Sequence, residues 1–234
     1  MAQVSASRPG AEVLVNEFVR SVYNWMAIGL ALTGVTAFYV SGSAVMRGLI
    51  FGNPVVFFVL ILAELGLVFA ISSRVDRMSA GKATSLFVIY AVLNGATLSF
   101  IFLAYTSTSI VSTFFICAGT FVGCSIYGWA TKKDLTSLGG FLMMGLIGII
   151  VASLVNMFIQ SSAIAVVISY IGVLVFVGLT AYDTQKIKHM AMTQPAGLDG
   201  GVVRKGAILG ALSLYLDFIN LFLMLLRIFG QGRD

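Results

Sequence analysis

Seven long apolar runs follow one another along the chain, and short polar segments separate them. Each run holds about 18 to 24 residues, which at about 1.5 Å per residue lets a helix cross the hydrocarbon core of a bilayer. The pattern predicts an all-α integral membrane protein, with residues 1–20 as a polar N-terminal tail and residues 21–234 as a seven-helix transmembrane domain. The predicted spans, numbered 1 to 7 in chain order, are residues 22–40, 55–72, 84–105, 110–130, 138–158, 163–182 and 206–229.

The composition strengthens this interpretation. Hydrophobic residues make up 59% of the 234 positions and charged residues only 10%, whereas a soluble domain carries roughly 25% charged residues. The net charge of +5 comes from basic residues that lie mostly between the apolar runs, which is typical of the positive-inside pattern of membrane proteins. We therefore expect the lipid bilayer as a partner and no binding of nucleic acid.

The distribution of basic residues also predicts the orientation. They concentrate in the N-terminal tail and in the segments that follow spans 2, 4 and 6, whereas the segments after spans 3 and 5 have no charge. These basic residues are Arg8, Arg20, Arg74, Arg77, Lys82, Lys132, Lys133, Lys186, Lys188, Arg204 and Lys205. Because cytoplasmic segments are enriched in lysine and arginine, we expect the N-terminus in the cytoplasm and the C-terminus outside.

Three acidic residues lie within or at the ends of apolar spans. Glu64 is near the middle of span 2, Asp183 follows span 6, and Asp217 is near the middle of span 7. A charged carboxylate at the bilayer centre costs about 2.5–3.5 kcal/mol on insertion scales, so Asp217 should face protein or water. If Asp183 and Asp217 are close, they can share one proton and titrate as a pair. The pair can also offer oxygen ligands to a hard cation such as Ca²⁺.

Structural roles compete with these functional ones. Asp183 can instead be a helix-end residue paired with Lys186 or Lys188, and Glu64 a carboxyl group hydrogen-bonded inside the bundle. Glu64 and Asp217, together with Asn94 in span 3 and Asn220 in span 7, are candidates for an ion pathway. Asparagines in spans, however, more often form hydrogen bonds between helices. Either Arg74 or Arg77, at the end of span 2, can pair with ionised Asp183 and so form a latch that acid breaks.

Two motifs carry a resemblance to a known family. The sequence GLTAYDTQKIK at residues 178–188 closes span 6, and ALSLYLDFINLF at residues 211–222 lies in span 7. Together they resemble the Bax inhibitor-1 (TMBIM) family, and in particular its bacterial YccA/YbhL-like branch. The sequence GWATKKDL at residues 128–135 is similar to the family pattern as well.

The resemblance implies a fold in which span 7 lies at the centre of the other six, in a bacterial inner membrane. It also implies a pH-dependent Ca²⁺ leak whose pH sensor is the pair Asp183 and Asp217. The family's arginine latch falls on Arg74 or Arg77, and its acidic residue in span 2 on Glu64. Some bacterial relatives are thought to modulate a membrane-bound AAA protease, which suggests a protein partner.

These observations favour a cation leak gated by protonation, with Ca²⁺ transported and with neither a cofactor nor an enzymatic activity. At higher pH, ionised Asp183 pairs with the arginine and closes a cytoplasmic gate, and protonation shifts this equilibrium. A non-transporting regulator that binds a membrane protease is the alternative. An intramembrane aspartyl protease is the weakest hypothesis, because Leu214-Tyr215-Leu216 stands before Asp217 where those enzymes have Gly-x-Gly.

Overall fold

The computed structural model describes residues 9–193 and 199–233. In these ranges the chain forms long helices joined by short segments, with a 3₁₀ turn at Val75–Arg77. The helices are α1 Pro9–Gly42, α2 Ala44–Phe51, α3 Pro54–Arg74, α4 Ala80–Leu98, α5 Ile101–Ala104, α6 Ser107–Ala130, α7 Thr136–Ile159, α8 Ser162–Thr193 and α9 Gly200–Phe229. Spans 1 to 7 correspond to α1, α3, α4 with α5, α6, α7, α8 and α9.

Polar residues at the helix starts explain several of the boundaries. The side chains of Asn53, Ser79 and Thr106 accept hydrogen bonds from the first backbone amides of α3, α4 and α6. These amides have no partner inside their own helix, so a capping oxygen stabilises the helix start. Pro54 follows Asn53 at the first helical position, where its missing N–H is not needed.

The prediction of seven membrane-spanning helices is confirmed, since seven helices are long and apolar enough to cross a bilayer. The first of them begins earlier than expected. Helix α1 starts at Pro9, inside the segment predicted to be a polar tail. Val15, Phe18 and Val22 recur at helical spacing on one face, and Phe18 and Val22 are buried in the core. This apolar stripe continues the helix toward the N-terminus.

Helix α8 also exceeds its predicted end. It runs past residue 182 to Thr193, because Ile187 and Ala191, four positions apart, remain buried against the bundle. Lys186, Lys188 and His189 therefore lie on the helix and not in a loop. The loop expected at residues 194–197 lies outside the described residues. Helix α9 starts at Gly200, six residues before the predicted start of span 7.

Helix α9 is the centre of the bundle. It packs against α8, α1, α6 and α4, and 67% of its membrane-spanning window is buried, compared with at most 44% in any other span. Leu212, Leu214, Tyr215 and Leu221 point in several directions around the helix and are all buried. The expectation that span 7 lies among the other helices is therefore confirmed.

Glycine allows the backbone of two helices to touch near the site. A Cβ atom added to Gly128 on α6 would collide with the carbonyl oxygen of Ala181 on α8. The absence of a side chain at Gly128 therefore lets α6 press directly against the turn of α8 that precedes Asp183.

Candidate functional site: an acidic cavity inside the bundle

A cavity of about 490 Å³ opens between α3, α4, α7, α8 and α9, and we call it the acidic cavity. Most of its wall is apolar, but three of the lining side chains are carboxylic acids from three different helices. Its polar lining residues are Glu64, Tyr90, Asn94, Asp183, Ser213, Asp217 and Asn220. The structure thus brings together the acids and both of the asparagines selected from the sequence.

Asp217 is the most unusual of these residues. Its side chain is only 5% exposed, and its Oδ2 atom is buried without a hydrogen-bond partner among the described residues. An unsatisfied buried acceptor is unfavourable unless a proton, a water molecule or a cation interacts with it. Asp217 is therefore a carboxyl group with unused hydrogen-bonding capacity beside the cavity.

Asp183 lies beside Asp217, at the same cavity. Each lines the wall, and Asp183 is within electrostatic range of Asp217. Because α8 continues to Thr193, Asp183 stands well inside the helix, and the antiparallel packing of α8 on α9 brings the two acids to a similar depth. Two interacting carboxyl groups on one cavity wall can share a proton if they approach closely, or supply oxygen ligands to one cation.

The positive charges near Asp183 come from its own helix. Lys186 is the cationic group whose charge acts on Asp183. Lys188 points elsewhere, since its Nζ donates to the backbone oxygen of Trp129 at 2.6 Å and lies 5.3 Å from the centre of that ring. Of the two lysines considered from the sequence, Lys186 is the one in position to balance the charge of Asp183.

Glu64 is held by hydrogen bonds. Its Oε2 accepts from Asn94 Nδ2 at 3.1 Å, and its Oε1 accepts from Thr97 Oγ1 at 2.9 Å. Asn94 Oδ1 in turn accepts from the hydroxyl of Tyr215 at 3.0 Å, and that hydroxyl lies 2.6 Å from Thr33 Oγ1. The network joins α3, α4, α9 and α1. Glu64 thus has both the structural role considered from the sequence and a place on the cavity wall.

The two asparagines differ. Asn94 is 8% exposed. Its amide nitrogen donates to Glu64 and its amide oxygen accepts from Tyr215, so the side chain links these two residues. Asn220 donates to Leu216 O of its own helix at 2.8 Å and also lines the cavity. Asn94 is therefore a fixed bridge between helices, whereas Asn220 presents a carboxamide to the cavity next to Asp217.

The predicted latch residues lie apart from the acids. Arg74 and Arg77 are exposed at the end of α3, and the wall of the acidic cavity contains neither of them among the described residues. The structure does not bring the arginines to Asp183, so the latch stays a prediction.

Sequence reasoning missed Thr33, Thr97 and Tyr215. Tyr215 stands two positions before Asp217 in the span 7 motif, and Thr97 stands three after Asn94 on the same helix face. A polar residue at i+3 from an intramembrane asparagine is a usable signal. Nothing in the sequence, however, indicates that Thr33 meets Tyr215, because 182 positions separate them.

The donor set does not form a closed metal site. Across the described residues, no group of three or more histidine, cysteine or acidic side chains is arranged to hold a metal ion. The oxygens of Asp183, Asp217 and Asn220 instead line an open space. Such an arrangement suits transient contact with a cation better than tight binding, because Ca²⁺ usually takes 6–8 oxygen ligands.

Comparison with known proteins agrees with this architecture. A family model described as "Inhibitor of apoptosis-promoting Bax1" matches residues 15–234. The chain is 52% identical over 216 residues to the inner membrane protein YbhL of Escherichia coli K12, covering 92% of each chain. It is 48% identical over 225 residues to an uncharacterized protein of Borreliella burgdorferi, covering 95% of this chain and 96% of the relative. It is 39% identical over 224 residues to an uncharacterized membrane protein of Streptococcus pyogenes, covering the same shares.

The matched residues include all seven spans and every residue of the acidic cavity. With its all-α bundle and central α9, the chain belongs to the Bax inhibitor-1 family of membrane proteins.

Proposed function

We propose that the protein is a pH-sensitive cation leak of the bacterial inner membrane that conducts Ca²⁺ and is gated by protonation of Asp183 and Asp217. The observation that carries the proposal is the buried, unpartnered Oδ2 of Asp217 in a cavity that two further acids line. The inner-membrane location rests on the printed name of the E. coli relative. The ion and the gating rest on the chemistry of the cavity and on the family resemblance.

The proposed ion path uses the oxygen atoms of the acidic cavity. Glu64, Asn94 and Asn220 lie on its wall with Asp217, so a dehydrating cation would meet carboxylate and carboxamide oxygens from α3, α4 and α9. Hard cations prefer such ligands. Because Asn94 and Glu64 already hydrogen-bond to each other, we assign the main contacts to Asp217 and Asn220.

The proposed gate depends on the charge of the acid pair. When both carboxyls are ionised, Asp183 attracts an arginine from the end of α3, Arg74 or Arg77, and this contact closes the bundle. Protonation of the pair removes the attraction, so the open state gains population as the pH falls. The expected sign is thus a flux that increases toward lower pH until protons compete with Ca²⁺ for the same oxygens.

The test is ⁴⁵Ca²⁺ flux into liposomes that contain purified protein, between about pH 5.5 and 8.5, a range that brackets perturbed carboxyl groups. The variants are Asp183→Asn, Asp217→Asn and the double substitution. Glu17→Gln is the matched control, because Glu17 is an exposed acid on α1 and is absent from the wall of the acidic cavity. We expect the control to keep the pH response and the site variants to lose it.

Flux no higher than in empty liposomes at every pH, from protein with the wild-type melting temperature, would contradict the leak. A non-transporting regulator that binds a membrane protease would then be the better hypothesis. A flux whose pH response survives in the double variant would keep the leak but overturn the assignment of its sensor to Asp183 and Asp217.

A further inference from the structure

A second cavity, which shares no lining residue with the acidic one, lies at the end of the bundle predicted to be cytoplasmic. It has a volume of about 700 Å³ and opens between the segment joining α6 to α7 and the last turns of α8. Its wall contains Lys132, Lys133, Lys186, Lys188 and His189, and we call it the basic cavity. Four lysines around one cavity create a strongly positive site for an anion.

The backbone of this cavity is fixed by a buried side chain. Gln185, only 6% exposed, accepts from the amide of Leu135 and donates to the carbonyl of Lys133, both at 2.8 Å. These two bonds attach the α6–α7 segment to α8. Lys188 is fixed as well, by its hydrogen bond to the backbone of Trp129 and its position over that ring. The backbone that carries Lys133 and the side chain of Lys188 are therefore held in place, whereas Lys132, Lys133 and Lys186 have exposed side chains.

One acidic residue, Asp134, lies in the wall of the basic cavity, and the net charge of the wall remains positive. Asp134 accepts hydrogen bonds from the hydroxyl of Thr136 at 2.6 Å and from its amide at 2.9 Å. The side-chain hydrogen bond from Thr136, together with the backbone one, holds the pKa of Asp134 below its usual value. Asp134 is thus ionised at neutral pH, and one negative charge stands against four lysines.

The depth of the cavity favours a lipid. Helix α6 ends at Ala130 and α7 begins at Thr136, whereas α8 continues beyond this level to Thr193. The cavity thus lies where spans emerge from the bilayer. Trp129 next to it and Tyr182 in its wall are the residue types enriched at membrane–water interfaces.

We propose that the basic cavity binds the phosphate of an anionic phospholipid headgroup. The lysines of the wall would contact the phosphate oxygens, while Ala130 and Met192 in the same wall provide apolar contacts for the lipid. Basic pockets between spans on the cytoplasmic side recognise anionic headgroups in this way. The site is separate from the acidic cavity, and the proposal does not depend on ion transport.

The test measures retention of phosphatidylglycerol from mixed micelles by native mass spectrometry, with phosphatidylcholine as the neutral probe. Lys132→Gln/Lys133→Gln removes two exposed charges, and the hydrogen bonds recorded for Lys133 use only its backbone. Arg77→Gln/Lys82→Gln is the matched control, since both residues are exposed, Arg77 in the 3₁₀ turn after α3 and Lys82 in the first turn of α4. We expect the first variant to weaken phosphatidylglycerol retention about tenfold or more and the control to change it less than about twofold.

Inorganic phosphate and glycerol 3-phosphate, added as soluble probes, distinguish a lipid from a free anion. Weak soluble binding together with lysine-dependent lipid retention would support the headgroup site. Three results would overturn it: equal losses in the two double variants, unchanged retention in Lys132→Gln/Lys133→Gln, or soluble phosphate that binds as tightly as the lipid. Melting temperatures in phosphatidylcholine show whether each variant is folded.

Discussion

Helices α3 and α9 are both long and apolar, yet they occupy opposite positions in the protein. Helix α3 has the highest mean hydropathy of the seven spans, but only 6% of its membrane-spanning window is buried. Phe58, Leu62 and Phe69 on α3 are exposed and face the region that lipid would fill. Helix α9 is less hydropathic, and 67% of its window is buried.

The difference teaches that hydropathy does not identify the central helix of a membrane bundle. Lipid chains are as apolar as leucine, so an apolar helix gains little by leaving them. Close packing and polar contacts decide instead. Helix α9 carries small residues such as Ala207, Gly210 and Ala211 and the polar Asp217. On α3 the single acid, Glu64, faces α4, and the rest of the helix can remain in lipid.

The largest expected effect is a loss of stability on replacing a buried aromatic residue of α9, compared with an exposed aromatic residue of α3. Tyr215→Ala should lower the free energy of unfolding by about 3–5 kcal/mol, because it leaves a cavity in the core and breaks a buried network. Phe69→Ala, at a side chain that is 68% exposed, should change it by less than about 0.5 kcal/mol. Equilibrium unfolding in mixed micelles measures both, and similar losses would contradict the arrangement of the two helices.

Glycines on the two helices provide a second comparison. A Cβ atom at Gly210 on α9 would lie 3.2 Å from carbons of Ile187 and Val22, whereas one at Gly66 on α3 meets nothing within 4 Å. Gly210→Val should therefore destabilise the protein by about 1–3 kcal/mol through overpacking. Gly66→Val should have little effect. Melting temperatures of the pair test this, and an unaffected Gly210→Val protein would show that α8 and α1 can move away from α9.

The parts of this fold that the sequence predicts are those governed by local pattern. Apolar run length predicts each span because a bilayer has a fixed thickness. Helix α1 begins before predicted span 1 and helix α8 continues past predicted span 6, because Phe18, Ile187 and Ala191 are buried against the bundle beyond the apolar runs. That packing depends on tertiary contacts, which local hydrophobicity does not report.

In the candidate site, too, local sequence pattern predicts some residues, and others depend on tertiary contacts. Glu64, Asn94, Asp183, Asp217 and Asn220 were selected because polar residues in apolar spans are rare, and the structure places all of them on one cavity. The bond between Thr33 and Tyr215 joins positions far apart in the chain, and a threonine in a span is too common to stand out. The basic cavity was not predicted because Lys186 and Lys188 were assigned to a loop, whereas they lie on α8 beside the segment that carries Lys132 and Lys133.

A third prediction tests whether Glu64 attaches α3 to the bundle. Glu64→Leu leaves the side-chain amide of Asn94 without its acceptor, whereas the hydroxyl of Thr97 can still donate to the backbone oxygen of Asn94 at 3.0 Å. The substitution should destabilise the protein by about 1–2 kcal/mol. The substitution should also broaden the distribution of distances between spin labels on α3 and α4. Leu62→Ala, at an exposed position of α3, is the control. Unchanged distances in Glu64→Leu would mean that apolar contacts alone hold α3.

The smallest expected effect concerns one hydroxyl at the centre of the bundle. Tyr215→Phe keeps the ring but removes the bridge between Thr33 and Asn94, and hydrogen bonds within membranes average about 0.6 kcal/mol. Tyr90→Phe, whose ring lies edge-on to Tyr215 with centroids 5.6 Å apart, loses a hydroxyl outside this bridge and is the control. In a double-mutant cycle, Tyr215→Phe should be coupled to Glu64→Leu, since Asn94 links the two sites. Additive effects would show that Tyr215 and Glu64 stabilise α9 and α3 independently. The hydrogen-bond chain between α9 and α3 would then contribute no coupling energy.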